Sequence, residues 1–367
     1  MKKKAFTLIE LMVAIGLLAI VMVMAGAIFR AAIDAYRMAK ANGEVIRNYR
    51  TIVNQLDRDL QGLRKEGEIL VIWGAYPDAN VPDTEAGYAR CDRIMFFAAG
   101  DFQSSGYDPN VPDVHGNLAR ISYALAKRYD PVGRAYRDPA TTPPRRRILA
   151  RTQHILVVEP IENDKGYVDP NQLTSNDPRW FRWHNRQQYD VTTLLGWKRM
   201  LAQGHDDALS VIADVSIGEP GTTSQVPPDR RGAQVDPCDP NALHMLLSEG
   251  VGQFAVQGWY DPAGRWVPQL DINGNGKMQQ DDTDFLPSKD GLVRYSSPLG
   301  LLYRGNGEGW VVLGGPLKDA YQGPFDPDHF TQIPGLGRAL KFTFTLYDSK
   351  GILPKGRTFT HIVDLDD

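Results

Sequence analysis

Cysteine is scarce in this chain: Cys91 and Cys238 are the two found among 367 residues. So few exclude a disulfide-stapled scaffold, and their separation excludes a CxxC metal pair. Outside the cytoplasm the two could form one disulfide, although spacing alone does not show that they meet. Net charge is also scarce, −3 from 41 basic and 44 acidic residues. A nucleic-acid partner, which needs a clustered basic face, is therefore not expected. Catalytic signatures are missing: there is no G-x-S-x-G elbow, no H-E-x-x-H pair and no phosphate loop ending in Lys-Ser or Lys-Thr. The seven histidines (His115, His154, His184, His205, His244, His329 and His361) are scattered, with no two at metal-ligand spacing. Internal repeats and low-complexity tracts are lacking too. Glycine and proline are plentiful, 35 and 25 residues, and point to many turns and long loops.

One long hydrophobic run is present, and it stands at the start. Lys2-Lys3-Lys4 precede an apolar stretch over 6–29 that carries a single charge, Glu10. About 20 apolar residues cross a bilayer as a helix, so this run is long enough. A carboxylate within the bilayer is costly and calls for a specific partner. Three lysines before the run against Arg30 after it place the N-terminus in the cytoplasm. An ordinary secretory signal fits poorly, because its apolar region is shorter and ends in a small-x-small cleavage site.

The segment Ala5-Phe6-Thr7-Leu8-Ile9-Glu10, opening a long apolar helix after a basic leader, closely resembles the signal of type IV pilins and type II secretion pseudopilins. The resemblance implies that prepilin peptidase removes 1–5 after Ala5, which stands where the family carries Gly. It also implies that Phe6 becomes an N-methylated first residue. Glu10 would then pair with the free amine of a neighbouring subunit, setting register in a filament. The implied partners are other pilins or pseudopilins, prepilin peptidase, the bacterial inner membrane and secreted substrate proteins. The implied location is a single pass in that membrane with the body in the periplasm.

Beyond Arg30 no proline occurs until past Glu66, and Val45, Tyr49, Ile52, Leu56, Leu60 and Leu63 recur every three or four residues. This predicts an amphipathic continuation of the helix over 30–66, with Gly67 as its stop. A helix over 6–66 would measure roughly 90 Å at about 1.5 Å per residue. The remaining residues, 67–367, read as a β-rich body. Strands are expected over 69–73, 93–97, 120–125, 154–159, 209–217, 252–260, 310–313, 340–347 and 358–363. The last two should form a hairpin, since Phe342, Phe344 and Leu346 alternate with Lys341, Thr343 and Thr345. A helix capped by Asp190 is expected over 191–204. The fold class is therefore α+β: a long N-terminal helix packed on an antiparallel β-rich, pilin-like body with large loop insertions. Within that family four segments look most like the J-type minor subunit or a large minor pilin. They are 55–60, 92–97, 250–260 with Trp266, and 337–346.

One loop carries chemistry of its own. Asp271, Asn273, Asn275, Lys277, Gln279 and Asp282 follow the D-x-N-x-N-G-x5-D spacing of a calcium loop, with Gly276 at the sharp turn. Side-chain oxygens, the Lys277 carbonyl and a Gln279-held water could supply the roughly six to eight oxygens that Ca2+ takes. The alternative is a solvated Asn-Gly turn between strands. Asp326, Asp328 and His329 read as a turn with solvated charges, and Trp180, Phe181, Arg182 and Trp183 as a packed loop. The function expected is a non-enzymatic minor pseudopilin or pilin subunit. The alternative is a membrane-tethered hydrolase or sugar-binding protein using a pilin-like anchor.

Overall fold

Helix α1 runs from Leu8 to Gln61 without interruption, 54 residues and about 81 Å at the usual rise per residue. The structure, a computed structural model, describes residues 7–64, 69–73, 75–77, 88–104, 114–137, 139–158, 188–191, 193–195, 234–238, 243–260, 265–267, 286–287, 293–294, 302–303, 309–313 and 339–365. Within the helix Gly43 brings no break. It ends five residues before Glu66, at Gly62 rather than at Gly67. The reason is a close approach. The Gly62 carbonyl accepts from Ala99 N at 2.6 Å, and Arg64 N donates to the Phe97 carbonyl at 2.8 Å. A Cβ at Gly62 would lie 2.0 Å from the Ala99 oxygen, so only glycine lets the helix end meet this strand.

Among the described residues the body has two main sheets. In the larger, the strands order as Leu246–Glu249, Ile148–Val157, His115–Asp130, Arg93–Gln103, Ile69–Trp73, Gly309–Leu313 and Leu302–Tyr303. The pairs along this path are antiparallel, with registers such as Tyr123 opposite Arg151 and Ile94 opposite Tyr123. Two short strands, Tyr189–Val191 and Gln234–Val235, join it in parallel. The smaller sheet orders Arg265–Val267, Val251–Tyr260, Ala339–Leu346 and Arg357–Asp364. Its last two strands form the expected hairpin, with Phe344 opposite Phe359. Leu340, Phe342, Phe344 and Leu346 are fully buried while Lys341 and Thr343 are half-buried, as a period of two predicts.

Among the described residues, both sheets and one face of the helix share one large apolar core, and a smaller cluster of Ala126, Ile148, Ala150, Val235 and Met245 lies apart from it. Val45, Ile52, Leu56 and Leu60 of α1 pack in the large core with Phe96, Ile121 and Tyr123 of the larger sheet and Phe254, Phe342 and Phe344 of the smaller. This is an α+β arrangement consistent with a pilin-like fold. Asp190 is a correction. It lies inside the strand Tyr189–Val191, opposite Leu156, and does not cap the expected helix; helix is present at 194–195, while 192 and 196–204 lie outside the described residues. Tyr189 and Val191 favour a pleated edge, and Tyr189 is buried there. The expected strand over 209–217 lies outside the described residues.

Candidate functional site: an anchoring helix and its seat

Thr7-Leu8-Ile9-Glu10 is a capping box, the Ser/Thr-x-x-Glu pattern that satisfies two orphan N–H groups at a helix start. Thr7 N donates to Glu10 Oε2 at 3.0 Å, and Glu10 N donates back to the Thr7 hydroxyl at 3.4 Å. The Thr7 hydroxyl also donates to Glu10 Oε2, at 2.9 Å. In this single chain, then, the Glu10 carboxylate is held by its own helix start.

From Leu8 to Lys40 every residue of the helix but Ala25 is exposed. Large apolar side chains line it on all sides, among them Leu8, Ile9, Met12, Val23, Ile28 and Phe29, each at least two-thirds exposed. Leu8 to Phe29 covers about 33 Å of helix, close to the roughly 30 Å of a bilayer's hydrocarbon. In length and composition this stretch is long and apolar enough to cross a membrane. Apolar all round and unburied, such a helix needs lipid or other helices around it.

The second half of α1 is seated by packing and by polar anchors. Ala41, Val45, Ile52, Leu56 and Leu60 are buried along one stripe. Tyr49 stacks on Phe359 at 4.5 Å and leans on Phe344 at 5.9 Å. Asp59 is buried beside that stripe. It accepts from Arg151 Nε at 2.6 Å and Nη2 at 2.8 Å, from Gln55 Nε2 at 3.0 Å, and from the Tyr123 hydroxyl. Burial, with the Asp59 charge beside it, pushes the Tyr123 phenol well above its ordinary range, so it serves as a neutral donor. Burial works against the charge on Arg151, but the bonds and charge of Asp59 outweigh it and raise its pKa. Three further anchors flank the stripe. Ser349 N and Oγ donate to the Glu44 carboxylate at 2.9 and 3.2 Å. Asn48 Nδ2 donates to the Glu249 carbonyl at 3.3 Å, and His361 Nε2 meets Asp57 Oδ1 at 2.6 Å.

Below the seat, buried charges tie the two sheets together. Arg90 and Asp92 are buried as a bidentate pair, Nε to Oδ1 at 2.8 Å with Nη2 on Oδ2. Asp92 Oδ2 also accepts from Val256 N at 2.8 Å, and Asp92 N donates to the Phe254 carbonyl at 2.8 Å. Arg147 donates to the carbonyls of Pro139, Thr142 and Gly252. Trp266 meets Trp259 edge-on at 5.2 Å, and Lys341 Nζ lies 4.9 Å over the Trp266 ring. Segments 92–97, 250–260, Trp266 and 339–346 thus converge at this junction.

Of the residues singled out in the sequence, Glu10 is placed at the helix start, while Ala5 and Phe6 lie outside the described residues. So does the whole calcium-loop segment, Asp271 to Asp282, together with Asp326, Asp328, His329 and Trp180 to Trp183. Cys91 and Cys238 are not joined in a disulfide in the structure, the first being buried and the second exposed. Burial pushes the Cys91 thiol up to about 12, against the pull of Arg147, Arg93 and Arg90, so it is a poor nucleophile. Asp59, Arg151 and Tyr123 were not picked out from the sequence. The signal existed: Asp59 interrupts the apolar stripe between Leu56 and Leu60. Chemically, the described arrangement docks an apolar rod onto a body and leaves the rod's other half for a second environment.

Residues 1–26 match the family described as the prokaryotic N-terminal methylation motif. The match supports a membrane-anchored, pilin-like protein and processing by prepilin peptidase. No curated protein and no solved structure matches the chain.

Proposed function

We propose that the chain is a non-enzymatic minor pseudopilin or minor pilin subunit. In this reading prepilin peptidase cuts after Ala5 on the cytoplasmic side, Phe6 is N-methylated, and residues 6–29 hold the chain in the inner membrane with the body in the periplasm. The helix then leaves lipid for a filament of a type II secretion system or a type IV pilus, packing against other subunits. The body would prime assembly or meet secreted proteins near the tip. The observation that carries the reading is a methylation motif opening an apolar helix that its own body leaves uncovered for 33 residues, Leu8 to Lys40. Glu10 would exchange its hold on Thr7 for the amine of a neighbouring Phe6 when subunits meet.

Intact-mass spectrometry of the protein from its host membranes tests this. A chain beginning at Phe6 with one added methyl supports it; a chain beginning at Met1, or beyond residue 29, refutes it. We further propose that Asp271, Asn273, Asn275, Lys277, Gln279 and Asp282 hold Ca2+ and stabilise the body. Calorimetry of the full chain in micelles should show heat at millimolar calcium that Asp271→Ala abolishes. No heat from the wild type refutes the site.

A further inference from the structure

We propose that the cleft between α1 and the 348–352 loop binds the headgroup of an anionic phospholipid on the body side of the membrane. This rests on the reading of residues 6–29 as membrane-embedded. The cleft has a volume of about 320 Å³ and is walled by helix residues from Ile33 to Glu44 and by Asp348, Lys350 and Ile352. Its position is fixed by the continuity of the helix. At about 1.5 Å per residue, Ile33 lies about 6 Å beyond Phe29 and Lys40 about 16 Å beyond. Headgroups add about 5–8 Å to each side of the hydrocarbon layer. The near end of the cleft therefore opens within the headgroup layer, where lipid is present without any assembly step.

The chemistry of the lining fits that occupant. Ile33, Tyr36 and Ile352 offer apolar surface for the glycerol end of the acyl chains, and a tyrosine at this depth is a common interface anchor. Arg37, Lys40 and Lys350 are exposed at the rim. Lys40 and Lys350 make no ion pair among the described residues, and Arg37 reaches Asp34 only at 4.0 Å, with both side chains about two-thirds exposed. The two acids in the wall are engaged elsewhere. Glu44 is taken up by Ser349, and Asp348 accepts from the N–H groups of Lys350, Ile352 and Leu353 at 3.2, 2.9 and 2.7 Å. The donors left to offer a ligand are the three cations and the Tyr36 hydroxyl, beside an apolar wall.

Native mass spectrometry of the full chain, released from nanodiscs with equal phosphatidylglycerol and phosphatidylcholine, tests the proposal. The wild type should retain phosphatidylglycerol at least tenfold over phosphatidylcholine. Arg37→Gln/Lys40→Gln/Lys350→Gln should lose that preference, at about fivefold per cation. Arg47→Gln/Arg50→Gln/Arg58→Gln, exposed on the same helix but farther from the membrane and outside the cleft, should keep it. Equal retention of the two lipids, or a preference unchanged in the first triple variant, overturns the proposal. So does loss of self-association in that variant with lipid retention intact, which would assign the cleft to a second copy. Alkaline extraction of the same samples separates the two failures. A chain that resists extraction yet ignores lipid charge refutes the cleft alone, and a chain that is extracted refutes the membrane reading as well.

Discussion

Asp59→Ala should be the most damaging single change on the helix. The carboxylate is 2% exposed and Arg151 15% exposed, and four hydrogen bonds converge on it. Removing it leaves a guanidinium nearly out of water with both of its carboxylate bonds gone, and a buried phenol without its acceptor. Breaking one side of a buried pair costs about 3–5 kcal/mol, a large share of the roughly 5–15 kcal/mol that holds a domain together. Urea unfolding of the full chain in micelles, followed by tryptophan fluorescence, should show that loss as a lower midpoint with an unchanged slope. The double variant Asp59→Leu/Arg151→Met separates charge stranding from loss of attraction. It should recover to within about 1 kcal/mol of the wild type, because replacing a whole buried pair by apolar groups is often neutral or better. A cost below about 1 kcal/mol for Asp59→Ala would mean that water reaches the pair and would refute the account of the seat. Equal losses in the single and double variants would refute stranding.

Two other changes follow from the same geometry. Gly62→Ala pushes a Cβ to 2.0 Å from the Ala99 oxygen. It should cost about 1–3 kcal/mol as overpacking does, and hydrogen exchange should localise the opening to the helix end and 97–99. Acid should loosen the 348–352 loop. Burial works against the charge on Asp348, but the N–H groups of Leu353, Ile352 and Lys350 prevail and hold its carboxyl below the ordinary carboxylate range. A lowered folded pKa gives stability that is complete above the unfolded value, near 3.9, and lost as pH falls through the folded one. Melting temperatures from pH 6 down to 2.5 should fall over that acid window, and Asp348→Asn should flatten part of the fall.

What could be read from the sequence was what periodicity and local chemistry determine. The apolar run, the stripe from Val45 to Leu60 and the terminal hairpin each repeat a pattern within a few residues, and the structure has them where the patterns put them. Periodicity extends the helix to Glu66 because nothing local marks Gly62. Its necessity arises from Ala99, brought close only by the folded sheet. Asp190 shows a related conflict: Asp before an apolar run caps helices, but the pairing of Tyr189 with Ile155 is a non-local gain that local preference does not register. The seat was hidden likewise, since Asp59, Tyr123 and Arg151 are scattered along the chain and only the register of two strands beside the helix makes them one site. The capping box was fully local. Thr7 and Glu10 belong at once to the processing signal and to the first turn of the helix.

The anchors around the stripe do more than hold the helix down. At about 100° per residue, Glu44, Asn48 and Asp59 fall on one flank of the buried face and Asp57 on the other. Each flank is bonded to the body, through Ser349, Glu249 and Arg151 on one side and His361 on the other. A rod gripped on both flanks cannot roll. Because α1 continues unbroken past Gly43, its setting at 41–60 also fixes which side of residues 8–40 faces a neighbour. Inserting one alanine after Ala31 should therefore leave folding and membrane insertion intact, yet turn the whole apolar half by about 100° and raise it about 1.5 Å relative to the body. In the proposed filament that misaligns every lateral contact, so incorporation into sheared filaments should drop at least tenfold. Inserting seven residues returns the face to within about 20° and should recover part of the incorporation, despite the longer reach. Wild-type incorporation of the one-residue insertion would show that the joint between anchor and body is loose, and the rotational grip would then have no part in assembly.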